Sequence, residues 1–151
     1  MLLSELLTPG HVVVPLAATD KPGVIAELAR RLVDRSGGDY DDVCRCVMRR
    51  EQELSTGIGY GVAIPHGRSP TLAELGVVAG VATAPVPFDA LDGQPVRLFF
   101  MSVGPEAVAG QHIKVLSRIA RLIRHEELRE RLLRALTPDE FQQALLVAEE
   151  R

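Results

Sequence analysis

The chain has 151 residues, of which 46% are hydrophobic and 25% charged, and its formal net charge is −3. These proportions are those of a soluble globular domain and exclude a disordered chain, while the absence of a basic excess argues against nucleic-acid binding. Two cysteines, Cys44 and Cys46, exclude a disulfide framework and are expected to pack in the interior rather than bind a metal. The longest stretch without an ionisable side chain, 75–88, contains two prolines and is too short to cross a bilayer. The first residues lack the basic flank of a signal peptide, so we expect a single cytoplasmic domain spanning residues 1–151.

Strand and helix signals alternate in the first third of the chain. The β-branched run Val12–Val14 predicts a buried strand. A helix follows, capped by Asp20 or by the threonine before it and ended by Gly37. A second helix begins within 39–42, where acidic side chains suit the positive end of the helix dipole. It continues to about residue 50, where basic side chains suit the negative end.

Three further strands are predicted in the middle of the chain, at 62–64, 76–82 and 96–103. The last two are nearly continuous apolar runs, as in a sheet that is covered on both faces. Together with the helices around them, these strands predict an α/β fold. We expect a single-domain sandwich in which a mixed sheet of about four or five strands has helices on both faces.

The last third of the chain is predicted to be helical. In its first helix, four apolar side chains recur at helical spacing and predict the buried face. They are Ile113, Leu116, Ala120 and Ile123. A short helix near 126–135 follows, and a capping box with proline at the first helical position, Thr137–Glu140, opens the last helix.

The segment richest in chemical information, Arg50–Arg68, combines alternating glycines with a histidine. Gly57, Gly59 and Gly61 permit close backbone packing or positive φ, or turn amide groups toward an anion. Their spacing fits neither the dinucleotide-binding fingerprint nor the P-loop. The strand after them stops at Pro65–Gly67, which presents a histidine from a rigid strand end, as a nucleophile requires. A lone histidine after a strand is more often an ordinary turn residue, so chemistry alone leaves both interpretations open.

The stretch STGIGYGVAIPHG resembles the active-site signature of enzyme IIA domains of the fructose–mannitol class in the bacterial phosphotransferase system, and above all of the nitrogen-regulatory branch. Arg50 stands sixteen residues before His66, as the family's active-site arginine does. PVPFDALDGQPVRLFFMSVGPEA resembles the family's two-strand region. QHIKVLSRIARLI resembles its next helix, with His112 at the position of the second active-site histidine. The resemblance covers essentially the whole chain.

This resemblance implies a phosphotransferase that works as a phosphocarrier. His66, through its tele nitrogen, would accept a phosphoryl group from the phosphohistidine of HPr or of its nitrogen-branch relative, for nitrogen or metabolic regulation. Arg50 would hold phosphate oxygens, and His112 would donate a hydrogen bond to the phosphoryl group or orient His66. Thr56 and Gly67 are expected to support phosphate binding. Partners besides the carrier would be a IIB domain or regulatory target proteins, and no cofactor, metal, nucleic acid or membrane insertion is expected.

Without the resemblance, Arg50 reads as a solvated helix end and His112 as a helix histidine whose hydrogen bonds are satisfied. With it, few fixed charges are expected at the site besides Arg50 and Arg68, and Arg49 is expected to lie on the surface. We expect the ring around the site to be small or apolar: Ile58, Gly59, Gly61 and Gly67.

Two other functions fit parts of the sequence. A sugar-specific enzyme IIA, which passes its phosphoryl group to a cysteine of a IIB domain, would have nearly the same sequence features. From a different class, the stretch DKPGVIAELA resembles the start of a helix in ACT domains, which are small amino-acid-binding regulatory modules. The ACT interpretation leaves the Pro-His-Gly segment and the C-terminal helices unexplained.

Overall fold

Six strands form one mixed sheet in the computed structural model, which describes residues 2–150. The strands are β1 Val12–Leu16, β2 Gly57–Gly59, β3 Val62–Ala63, β4 His66–Arg68, β5 Gly76–Val86 and β6 Val96–Gly104. Their order across the sheet is β1-β5-β6-β3-β2, with β4 pairing with β6 beyond the end of β3. The sheet is mixed because β1/β5, β3/β6 and β4/β6 are parallel pairs, whereas β5/β6 and β2/β3 are antiparallel. The predicted mixed sheet is confirmed.

Six α-helices surround the sheet in this part of the chain. They are α1 Leu3–Leu6, α2 Lys21–Ser36, α3 Tyr40–Glu53, α4 Ala109–Leu122, α5 Glu126–Arg134 and α6 Pro138–Glu149. Two short 3₁₀ helices, Pro9–His11 and Glu106–Val108, precede β1 and α4. Within residues 2–150, every helix is too short or too polar to cross a membrane.

The helix ends follow the capping signals of the sequence. The Asp20 carboxylate accepts the amide hydrogen of Gly23 at 2.8 Å and begins α2, and Asp39 begins α3 in the same way. Gly37 ends α2 with a φ of 83°, a conformation that favours glycine. The capping threonine of α6, Thr137, accepts the amide hydrogen of Glu140 at 3.2 Å.

The two faces of the sheet bury separate hydrophobic clusters. Helices α2 and α3 cover one face through buried side chains such as Leu28 and Val47. Helices α1, α4, α5 and α6 cover the other, where Ile119, Leu132 and Phe141 are fully buried. The predicted helices on both faces are therefore confirmed, and a strand such as β6 is apolar along its whole length because both of its faces are covered.

The buried face predicted for α4 is correct in part. Ile123 is buried and Leu116 packs against the core, but Ile113 is 62% exposed and Ala120 is exposed. The fully buried side chains of the helix are instead those of His112, Val115 and Ile119. The predicted and the observed set both have helical spacing. The observed set begins with a histidine, which is a polar residue and therefore gives no hydrophobic signal. The difference has a consequence for the site, because it places a large apolar side chain in solvent beside His112.

The edge strand β4 continues β3 in register. Ala63 pairs with Phe99 and His66 pairs with Ser102, so the register along β6 is unbroken across the two residues between the short strands. One of these two residues is Pro65, which lacks an amide hydrogen but whose carbonyl accepts the amide hydrogen of Ser102 at 3.1 Å. Proline is tolerated in this place because the strand lies at the edge of the sheet.

Candidate functional site

A cavity of about 360 Å³ lies at the sheet edge formed by β4, between the end of α3 and the start of α4. Helix α3 and β4 contribute Cys46, Arg49, Arg50, Glu53, His66, Gly67 and Arg68, and α4 contributes His112, Ile113 and Leu116. Three of the residues singled out in the sequence, Arg50, His66 and His112, are brought together here, and Gly67 lines the same cavity. A larger cavity between α4, α5 and α6 contains none of the predicted site residues.

The His66 ring is fixed by its own strand. Its Nδ1 atom lies 2.8 Å from the carbonyl oxygen of Ile64. A carbonyl oxygen only accepts hydrogen bonds, so Nδ1 carries the hydrogen and Nε2, the tele nitrogen, carries the free lone pair. Burial lowers the pKa of His66, the bond to Ile64 acts in the opposite direction, and the charge of Arg50 lowers it further. His66 is therefore a neutral, oriented imidazole at neutral pH.

Gly67 allows β4 to lie against the backbone of α3. A Cβ atom at this position would be 3.1 Å from both the carbonyl carbon of Cys46 and the amide nitrogen of Val47. Contacts this close to helix backbone would press a side chain against α3, so glycine lets β4 and α3 line one cavity. The expected support of phosphate binding by Gly67 stays a prediction.

His112 is buried on the first turns of α4 and is only 4% exposed. One ring nitrogen is hydrogen-bonded to the backbone of Ser102, whereas Nε2 has no hydrogen-bond partner among residues 2–150. Burial, followed by the charges of His66 and Arg68, lowers the pKa of His112 to about 4. The interpretation of His112 as a histidine with satisfied hydrogen bonds is therefore wrong, because an unpartnered Nε2 is buried beside the cavity.

Arg50 closes the C-terminal end of α3 and also lines the cavity. Its Nη1 atom donates to the carbonyl oxygen of Leu54 at 2.8 Å. Leu54 follows the last residue of α3, and carbonyl groups at a helix end have no hydrogen-bond partner within the helix. Arg49 also lines the cavity, so its interpretation as ordinary surface is incomplete.

Arg68 was expected near the site, whereas its ion-pair partner, Glu106, was not. The side chain of Arg68 lines the cavity and forms an ion pair with Glu106, which lies in the 3₁₀ helix just before α4. Both side chains are exposed, at 49% and 79%. A signal for Arg68 exists in the sequence, because alternate residues of a strand point to the same side and Arg68 follows His66 by two positions.

Thr56 does not line the cavity. It is buried, and its hydroxyl group and amide both donate to the carboxylate of Glu51, the hydroxyl at 2.6 Å. The other partner of Glu51 is Lys21, whose Nζ lies 2.9 Å away. Thr56 thus belongs to a buried ion-pair cluster that joins α2, α3 and the start of β2. The sequence contains no direct signal for this cluster. The one general indication is that a buried carboxylate requires partners.

The alternating glycines build a hairpin rather than an anion-binding loop. Gly59 and Gly61 have φ values of 98° and 72° and flank Tyr60, itself at a φ of 61°, in the turn between β2 and β3. A Cβ atom on Gly57 would lie 2.6 Å from that of Ala90. The expected ring of small residues is therefore wrong apart from Gly67, and the cavity is ringed by charged side chains of α3 and β4 instead.

The two cysteines are half-buried, not fully buried. Burial raises the pKa of both thiols, which disfavours the reactive thiolate, and Cys46 contributes one wall of the cavity. Among residues 2–150, no group of three or more histidine, cysteine or acidic side chains is arranged to hold a metal ion.

Comparison with known proteins accounts for this arrangement. The model of the family described as "Phosphoenolpyruvate-dependent sugar phosphotransferase system, EIIA 2" matches residues 5–147. The chain belongs to this family. The match also covers the segment that resembles an ACT helix, and nothing in the fold or the comparisons supports the ACT interpretation.

Relatives of the chain fall into both the regulatory and the sugar branch of the EIIA 2 family. It is 34% identical to a nitrogen regulatory protein of Bradyrhizobium diazoefficiens, over 87% of this chain and 86% of that protein. It is 33% identical to a fructose-specific EIIA component of Haloferax volcanii, over 83% of this chain and 82% of that protein. The crystal structure of nitrogen regulatory protein IIA-Ntr from Neisseria meningitidis has a TM-score of 0.88 and 34% identity, and covers 95% of this chain and 98% of that one.

Proposed function

We propose that this EIIA protein accepts a phosphoryl group on Nε2 of His66 from the phosphohistidine of an HPr-type carrier, and that it serves in regulation. The observation that carries the proposal is the hydrogen bond from Nδ1 of His66 to the carbonyl oxygen of Ile64. It fixes the tautomer in which Nε2 is the nucleophile, and it holds that ring in a cavity with arginine side chains.

The chemistry requires little more than these parts. The lone pair of Nε2 attacks phosphorus, the bond from phosphorus to the donor's histidine nitrogen breaks, and the electron pair of that bond returns to the donor imidazole. No proton needs to leave Nε2 because Nδ1 already carries the hydrogen. Phosphoryl transfer depends on positioning and on stabilising the charge of the equatorial oxygens, and Arg50, at the end of α3, supplies a planar fork suited to them.

The direct test is phosphorylation of the purified protein. With phosphoenolpyruvate, enzyme I and an HPr-type carrier, intact mass should rise by one acid-labile phosphoryl group in the wild type and in His125→Ala. The latter removes an exposed histidine that lies outside the cavity. His66→Ala should gain nothing. Full labelling of His66→Ala would overturn the assignment.

A second candidate function, a sugar-specific EIIA, is favoured by the similarity to the fructose-specific EIIA component over 82% of that protein. A sugar-specific protein would pass its phosphoryl group to a cysteine of a IIB domain. The two functions separate when the phosphorylated protein is mixed with a fructose-class IIB domain. Rapid transfer to the IIB cysteine supports the sugar role, and retention on His66 supports the regulatory one.

A further inference from the structure

The ion pair between Arg68 and Glu106 joins a residue of the cavity wall to the segment that leads into α4. Arg68 is the last residue of β4, and its backbone pairs with Gly104 of β6, two residues before Glu106. Glu106 begins the 3₁₀ helix that continues into α4, the helix that carries His112. The pair therefore lies where β4, β6 and α4 converge.

Arg68 shares a cavity with His66, the proposed phosphoryl acceptor. His66 and Arg68 point to the same side of β4, because they are two residues apart on one strand, and both line the same cavity. The pKa of His112 is lowered by burial, then by the charge of His66, and then by the charge of Arg68. Arg68 therefore already influences the second histidine before any phosphorylation.

A phosphoryl group on His66 would compete with Glu106 for this guanidinium. The phosphoryl group carries roughly −1.5 to −2 charges at neutral pH and three strong acceptor oxygens, whereas Glu106 offers a single charge. The pair to be broken is exposed on both sides, at 49% and 79%, and exposed ion pairs contribute little stability. The exchange therefore replaces a weak contact with a stronger one.

We propose that Arg68 binds the phosphoryl group on His66, and that Glu106 holds Arg68 until that group arrives. Phosphorylation then moves Arg68 from the carboxylate to the phosphoryl oxygens and leaves Glu106 without its cation at the rim of the cavity. This inference rests on the proposed function. It means that phosphorylation changes the charge of the rim at two places, His66 and Glu106, and a partner that docks there meets both.

Phosphorylation by phosphoramidate, a small donor that requires no carrier protein, tests the exchange. Glu106→Gln frees Arg68 and should accept the phosphoryl group about two- to fivefold faster than wild type, the scale of an exposed ion pair. Glu130→Gln makes the same change of net charge on an exposed side chain of α5 and should react as wild type does. Arg68→Gln should react about tenfold more slowly, as expected for loss of a partly exposed charge stabiliser.

The double variant Arg68→Gln/Glu106→Gln decides between exchange and simple repulsion. If Glu106 acts through Arg68, removing Glu106 in the Arg68→Gln background should change the rate less than twofold. A gain of the same size in both backgrounds would overturn the proposal, as would wild-type rates in Arg68→Gln.

A second measurement follows the phosphoryl group itself. In the ³¹P NMR titration of the phosphorylated protein, the guanidinium should lower the second pKa of the phosphoryl group, and Arg68→Gln should raise it. An unchanged titration in Arg68→Gln would exclude contact between Arg68 and the phosphoryl group. Absence of labelling at His66 in the wild type would overturn the proposed function and this exchange together, whereas labelling that ignores Arg68 and Glu106 overturns the exchange alone.

Discussion

The imidazole rings of His66 and His112 meet edge to face, with their centroids 6.0 Å apart and their planes at 86°. Each ring is oriented by backbone rather than by the other ring, His66 through Ile64 and His112 through Ser102. The expectation that His112 orients His66 therefore gains no support, and a role toward the phosphoryl group is the one that the geometry favours. Nε2 of His112 has no hydrogen-bond partner in the part of the chain that the structure describes, and a group on His66 would be the partner that we expect for it.

His112 should take up a proton when His66 is phosphorylated. The bond to Ser102 leaves Nε2 of neutral His112 as an acceptor, which repels phosphoryl oxygens, and the pKa of about 4 keeps it neutral at physiological pH. A phosphoryl dianion opposes the effects of burial and of Arg68 and raises that pKa. We expect ¹⁵N NMR titration to show His112 neutral down to about pH 4 before phosphorylation and protonated at distinctly higher pH afterwards. Equal midpoints in the two forms would contradict this prediction.

The reactivity of His66 should persist into mildly acidic solution. Burial, with a further contribution from Arg50, lowers the pKa of His66 below the ordinary 6.5, so the neutral nucleophile survives as the pH falls. The rate of phosphorylation by phosphoramidate should thus rise with pH to a plateau, with its midpoint below pH 6.5. A midpoint above pH 6.5 would show that the folded protein stabilises the protonated ring.

Replacing Arg50 should slow the reaction and also move its pH profile. Loss of one charge stabiliser of the phosphoryl group typically costs a factor on the order of 10² to 10³. Because the charge of Arg50 lowers the pKa of His66, Arg50→Gln should shift the midpoint of the rate profile upward. Arg45→Gln, an exposed arginine on the same helix and outside the cavity, is the control. A normal rate with a reduced unfolding temperature would leave Arg50 as a helix-end residue only.

Gly67→Ala should destabilise the protein even though alanine is the better residue in most settings. The added Cβ would press on the α3 backbone at 3.1 Å, and such overpacking costs about 1 to 3 kcal/mol. Gly110→Ala is the opposite case, because nothing lies within 4 Å of its added Cβ and the residue is helical. It should stabilise by about 0.4 to 1 kcal/mol. Urea unfolding measures both, and equal effects would contradict the packing argument.

Glu51→Ala should be the most destabilising of these changes. It leaves the Lys21 ammonium in a site that is 16% exposed, without its carboxylate, and breaking a buried pair in this way costs about 3 to 5 kcal/mol. Glu51→Gln retains an acceptor for Thr56 and should cost less. Urea unfolding of the two variants checks the order, and a reversed order would contradict the role of the side-chain oxygen at residue 51 as an acceptor for Thr56.

Most helices and strands could be predicted from the sequence because their signals are local. Asp20 and Asp39 begin helices as their side chains predict, and Gly37 ends one. The composition of the cavity wall could not be predicted in this way. Arg49 and Glu106 become part of the site only when α3 and the start of α4 meet across β4, and nothing in either segment alone indicates that meeting. The position of Thr56 outside the cavity could not be predicted for the same reason, since its hydrogen-bond partner Glu51 lies on another element.

Ser102 contacts both histidines through its backbone. It pairs with His66 across β4 and β6, and its backbone holds the ring of His112. The segment 102–112 sets how the His112 ring is turned relative to β6. One added residue would turn α4 by about 100° relative to β6, and the two rings would no longer share a cavity. Among related chains, length should therefore stay constant between the serine and the second histidine.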